Sequence, residues 1–212
     1  MSHQSKKALL LTAPGCVHCA ALKKILEKII AEGLIEQLEV VDVTSNPEIA
    51  NQHNVKSVPW LKFGLFEFQG ALRESNLRYW ITQLRDQQGV TRYLKHLLET
   101  GELGKTINLI NDKPELMNNL VSLVMDEEND MKVRLGVSAV FEEFEGSPLL
   151  KERVEQLGEL ITHKNPKIRA DVAHYLSLAH TDAAVAFLRK LAQDSDREVS
   201  EIANDSLSDL NY

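Results

Sequence analysis

The 212-residue chain holds only two cysteines, Cys16 and Cys19. Two thiols cannot staple a small secreted scaffold, and no second Cys-x-x-Cys pair exists to complete the four-ligand shell of a structural zinc site. Basic charge is also short, with 24 Lys and Arg against 31 Asp and Glu and a net charge of -7. Aromatics are only 6% of residues, and no basic stripe is interleaved with them, so no nucleic-acid partner is expected. No apolar run nears the roughly 18 residues that cross a bilayer, and no membrane partner is expected either. What is present, 43% hydrophobic and 26% charged residues, is ordinary for a globular protein long enough to bury one large or two small cores.

The start of the chain imitates a secretory leader: Lys6-Lys7, then ALLLTAPGC. Its apolar part ends at Ala13, short of the roughly 7–15 residues an exported leader needs, and runs into a helix that uses both cysteines. The expected location is therefore cytoplasmic.

Composition and pattern change together near Gln87-Gln88-Gly89. Residues 1–88 carry about +1 and residues 89–212 carry -8. The expected domains are accordingly 1–88, of α/β class, and 89–212, all-α. In the first, strands are expected over Lys7–Thr12, Leu38–Val43, Ser57–Phe63 and Leu65–Phe68. Helices are expected over Cys16–Ala31 with a stop at Gly33, over Asn46–His53 with Pro47 in the first turn, and over Leu72–Leu84. This βαβαββα order calls for a mixed sheet covered by helices.

The chemistry sits in Cys16-Val17-His18-Cys19, between the first apolar strand and the first helix. Thiols three apart on a first helical turn face the same way, near the α-carbon separation a disulfide tolerates. The positive end of the helix favours a thiolate at Cys16. Cys16 then reads as the attacking thiolate and Cys19 as the more buried resolving thiol, exchanging through a mixed disulfide. The alternatives for the same residues are an inert pair or half of a metal site. His18, as an imidazolium or hydrogen-bond donor, could stabilise the Cys16 thiolate and make the disulfide more oxidising; its alternative is an exposed histidine without a role.

Residues 7 to about 86 resemble a thioredoxin-fold domain. The resemblance is carried by PGCVHC at 14–19, VDVTSNPEIANQHNV at 41–55 and SVPWLKF at 57–63, with Val58-Pro59 at the family's cis-proline position about forty residues after the cysteines. It implies that Pro59 is cis, lies beside the cysteines and shields them. It also implies that the Val58 backbone is presented to a substrate strand. A strongly oxidising member of the family has histidine at the place of His18, after a proline that is Val17 here. Two departures stand out. Leu10 occupies the place of a buried aspartate, and the facing lysine position falls near Val40. The usual Trp-Cys-Gly-Pro-Cys is missing, which disfavours the usual reductase, and Phe68-Gln69-Gly70-Ala71 replaces the paired glycines of a glutathione site. No cofactor and no metal are implied. Trp60 is expected in the core.

Beyond residue 89 no strand run occurs and apolar residues recur at helical spacing. Met125, Leu160 and Leu191 each lead by eight positions to Val133, Ile168 and Val199. Val137, Val172 and Ala203 follow four later, then Phe141, Leu176 and Leu207. NPKIRADVAHYL at 165–176 and DREVSEIANDSL at 196–207 resemble HEAT-like repeats, which implies an α-solenoid that binds another protein, its first helices (about 90–110) capping the stack. A generic helical bundle is the alternative. Two function classes follow. One is a thiol–disulfide oxidoreductase whose helical repeats dock a client protein bearing a reactive cysteine or disulfide, served by an unknown electron donor or acceptor. The other is an interaction scaffold or redox sensor in which the repeats are the working part.

Overall fold

The computed structural model describes residues 7–210 and divides the chain into two compact units between Val90 and Thr91. Lys6, half of the leader-like basic pair, lies outside the described residues. No described helix is long and apolar enough to cross a membrane.

The first unit runs β1 (Lys7–Thr12), α1 (Val17–Ala31), β2 (Gln37–Asp42), α2 (Pro47–Gln52), β3 (Trp60–Phe63), β4 (Phe66–Gln69) and α3 (Glu74–Gln83). The sheet order is β2-β1-β3-β4. β1 pairs parallel with β2, as a helical crossover requires, and antiparallel with β3; β3 pairs antiparallel with β4. Strand alternation divides the core. Ala8, Leu10, Leu61 and Phe63 are buried on the face shared with α1 and α3, where Trp80 of α3 meets the rings of Phe66 and Phe68 at 5.6 and 5.5 Å. Leu11, Val41 and Trp60 form the opposite core, against which Ile49 of α2, Val55 and Val58 pack. α1 and α3 are tied by Arg78, whose guanidinium bonds Glu32 at 2.6 and 2.8 Å and Glu74 at 2.7 Å.

Two differences from the sequence reading have local causes. The third strand begins at Trp60, not Ser57, because Pro59 has no N–H to give a ladder. The first helix begins at Val17, because Cys16 is its cap. That helix stops as expected: Gly33 takes a φ of 75° and closes the turn with Gly33 N–H on the Ile30 carbonyl at 2.8 Å, while Leu34 N–H reaches Ile29.

The second unit is helical throughout its described residues. After α4 (Gly89–Thr100), whose first residues precede the division, come α5 (Leu103–Asp112), α6 (Met117–Val124), α7 (Met131–Glu143), α8 (Pro148–Lys151), α9 (Val154–Gly158), α10 (Pro166–Ser177), α11 (Asp182–Leu191) and α12 (Arg197–Asp209). The recurring positions of the sequence are the buried stripes of α7, α10 and α12: Val133, Val137 and Phe141; Ile168, Val172 and Leu176; Val199 and Ala203. Leu207 is only half-buried and Met125 is 46% exposed, because Met125 falls past the end of α6, outside its apolar stripe. Each of the three helices is capped by a residue three before its first anchor. Asp130 accepts from Val133 N–H at 2.9 Å, Asn165 from Lys167 N–H at 3.0 Å, and Asp196 from Glu198 N–H at 3.0 Å. A forked pair, Arg134 on Asp171 (2.8–3.0 Å), clamps α7 to α10, and a second, Arg169 on Asp194 (2.7 Å), ties α10 to the turn between α11 and α12.

Candidate active site

The site is assembled by a turn, a cap and the end of the sheet. Ala13-Pro14-Gly15-Cys16 is a tight turn closed by Cys16 N–H on the Ala13 carbonyl at 3.3 Å. Proline suits its second position, and Gly15 at φ 73° meets the left-handed requirement of the third. The turn delivers Cys16 to the N-cap of α1, the place usually held by serine or aspartate. Its Sγ accepts the Cys19 N–H at 3.1 Å. A sulfur in this position feels an oriented donor and the positive end of a 15-residue helix, both of which stabilise negative charge.

Cys16 and Cys19 are joined as a disulfide, with S–S 2.11 Å and Cα–Cα 5.3 Å. Cys19 is 3% exposed, whereas Cys16 is half-buried and reachable. The asymmetry is geometric: the cap residue stands at the lip, and the residue one turn on faces the sheet.

Val58-Pro59 is cis. Because Leu11 pairs with Trp60, Pro59 lies at the same end of the sheet as the turn that carries the cysteines. Pro59 is buried, and its carbonyl accepts Gly70 N–H at 2.8 Å. Val58 is half-buried, and its backbone makes no hydrogen bond among the described residues. Trp60 is 2% exposed and packs in the core, with the His53 ring 4.9 Å from its own; burial, then Lys62, holds the His53 pKa below its usual value.

His18 is exposed on the first turn of α1, and its ring has no hydrogen-bond partner among the described residues. Leu10 is fully buried and pairs in register with Val40, which is 39% exposed because β2 is an edge strand. Asp42, the nearest carboxylate in sequence, is committed elsewhere. It accepts Thr44 Oγ1 at 2.7 Å and Thr44 N–H at 2.8 Å, and these bonds lower its pKa.

Sequence reasoning missed a groove of about 450 Å³ beside the disulfide. Thr12, Val40, Ala20 and Lys23 form its walls with both cysteines, and Val17, 78% exposed, stands at its rim. Lys23 could have been found from its spacing, four residues after Cys19 on one helix. No group of three or more metal-ligating side chains occurs among the described residues.

A family description, thioredoxin domain, matches residues 7–82. A thioredoxin of Methanocaldococcus jannaschii is 35% identical over 68 residues, which are 31% of this chain and 79% of that protein. The chain belongs to the thioredoxin family. The family match falls within the first unit, and the helical unit lies outside it. The pair Cys16–Cys19, at disulfide distance in a thioredoxin domain, indicates thiol–disulfide oxidoreductase chemistry.

Proposed function

We propose that the protein exchanges disulfides with a client protein in the cytoplasm, and that HEAT-like repeats in its helical unit dock that client. The observation that carries the redox reading is the pairing of a reachable Cys16 sulfur, capping α1, with a buried Cys19 in bonding distance. With the site reduced, the Cys16 thiolate attacks a client disulfide; one client sulfur leaves as thiolate and the other stays bonded to Cys16. Cys19, as thiolate, then attacks Cys16, and the second client sulfur leaves. In the opposite direction a client thiolate attacks the Cys16–Cys19 bond and the same steps reverse. The unpaired Val58 backbone beside buried Pro59 supports addition of a client strand there. His18, when protonated, adds positive charge beside Cys16 and makes the disulfide the more oxidising partner.

Support for the repeat reading is the recurrence of caps at 130, 165 and 196 with anchors at 133, 168 and 199, both at intervals of 35 and 31 residues, within the range of helix-pair repeats. Docking on such a surface would raise the client's effective concentration at Cys16. The test is turnover and capture with the full chain. Insulin reduction is expected to collapse in Cys16→Ala, and Cys19→Ser is expected to accumulate a mixed disulfide with its client. Unchanged cellular function in the Cys16→Ala, Cys19→Ala double variant would instead assign the work to the helical unit as a scaffold.

A further inference from the structure

Resolution of a mixed disulfide needs Cys19 as a thiolate, yet Cys19 is 3% exposed, and no Asp, Glu or His among the described residues lines the groove beside it. The sheet face behind it offers Leu10, fully buried, and its register partner Val40. A groove shared by Thr12, Ala20, Lys23 and Val40 opens onto Cys19. Apart from the two cysteines, Lys23 is the titratable side chain on its wall.

We propose that Lys23 stabilises the Cys19 thiolate during resolution and that the groove is the path by which its proton leaves to water. This rests on the redox reading above. Residues four apart share a helix face, and Lys23, four residues on, lines the same groove as Cys19. Its compact ammonium acts as a point charge at the wall of a water-filled groove, where solvent screening keeps its effect on the sulfur modest. The balance is simple. Cys19 gives its proton to groove water, and its sulfur attacks Cys16. The Cys16–client bond breaks with its electron pair on the client sulfur, which is then protonated.

Other charged groups stand around this corner. Glu27, one turn further along α1, has a carboxylate oxygen 3.7 Å from Lys23 Nζ and opposes its field. On β2, Asp42 shares the strand face of Val40 but is held by Thr44. On β1, Leu10 and Thr12 carry no charge. His18 is exposed on the first turn of α1, nearer Cys16.

The experiment follows the reduced full-length protein reacting with an aromatic disulfide (dithiobis-nitrobenzoate). One thiolate of the reagent is released when Cys16 attacks, and a second when Cys19 resolves the adduct. A charge that makes a thiolate about tenfold more abundant also makes it about threefold less nucleophilic, leaving a net change of about threefold. Lys23→Gln is therefore expected to slow the second release about threefold at neutral pH and to move its pH midpoint upward, with the first release unchanged. Lys23→Arg restores the parent profile, and Glu27→Gln moves the midpoint down. An unmoved midpoint in Lys23→Gln, with both releases present, overturns the role of Lys23 alone. Absence of any first release overturns the redox reading itself.

Discussion

Gly158, the last residue of α9, lies directly beneath the Phe187 ring of α11. A β-carbon at 158 would stand 2.3 Å from Phe187 Cζ and 2.4 Å from Cε2, where carbon atoms settle at roughly 3.5–4.0 Å. Gly158→Ala therefore sets two effects against each other. Alanine is favoured over glycine in a helix by about 1 kcal/mol. Against that, the half-buried ring must retreat by more than an ångström, giving up packing and its rotamer, which costs about 1–3 kcal/mol. Overpacking wins, and the single variant is expected to be less stable by about 1 kcal/mol. In a Phe187→Ala background the obstacle is gone, so the same Gly158→Ala change is expected to stabilise by up to about 1 kcal/mol. The sign reversal amounts to a coupling of about 2 kcal/mol, well above the error of additivity for independent sites. Urea unfolding followed by helical circular dichroism, in the four proteins of the cycle, measures it. Equal destabilisation in both backgrounds, or stabilisation in the parent, would refute the contact.

Two further outcomes are expected. His18→Ala removes the cation proposed to favour the Cys16 thiolate, so the parent disulfide should be more oxidising than about -270 mV, the thioredoxin value, and the variant less oxidising than the parent; equilibration with glutathione at graded ratios reads both, and a parent at or below that value discards the role of His18. The Asp194 carboxyl, held by Arg169 and by the Asp196 N–H, has a folded pKa below its usual value. Its contribution is therefore complete above the unfolded value near 4 and is lost as pH falls through the folded one. Asp194→Asn should cost about 1–3 kcal/mol near pH 7, and the gap from the parent should close as the solution is acidified below about pH 4, measured by urea midpoints across pH.

Much of the site could be read from the chain because its parts are local. The i,i+3 spacing sets the facing sulfurs at the head of a helix without any distant partner, although the structure makes Cys16 the cap and not the first helical residue. The anchors at 133, 168 and 199 were legible for the same reason, since a buried helical stripe repeats at fixed intervals. Asp42 was not: nothing in its neighbourhood distinguishes a carboxylate free for proton transfer from one spent on Thr44. Nor was the start of β3, where the missing N–H of Pro59 overrode an apolar run that reads as strand.

By itself, then, the order of residues determined the alternation of strands and helices, the two cysteines at the head of a helix, and the apolar stripes beyond residue 89. Sheet order and register decided the rest. Pairing β1 between β2 and β3 brought Val40 and Lys23 to the wall of one groove and Pro59 to the cysteine end of the sheet. Those neighbours come from separate segments of the chain, and only burial of a shared core, which acts between segments and not along them, makes them meet.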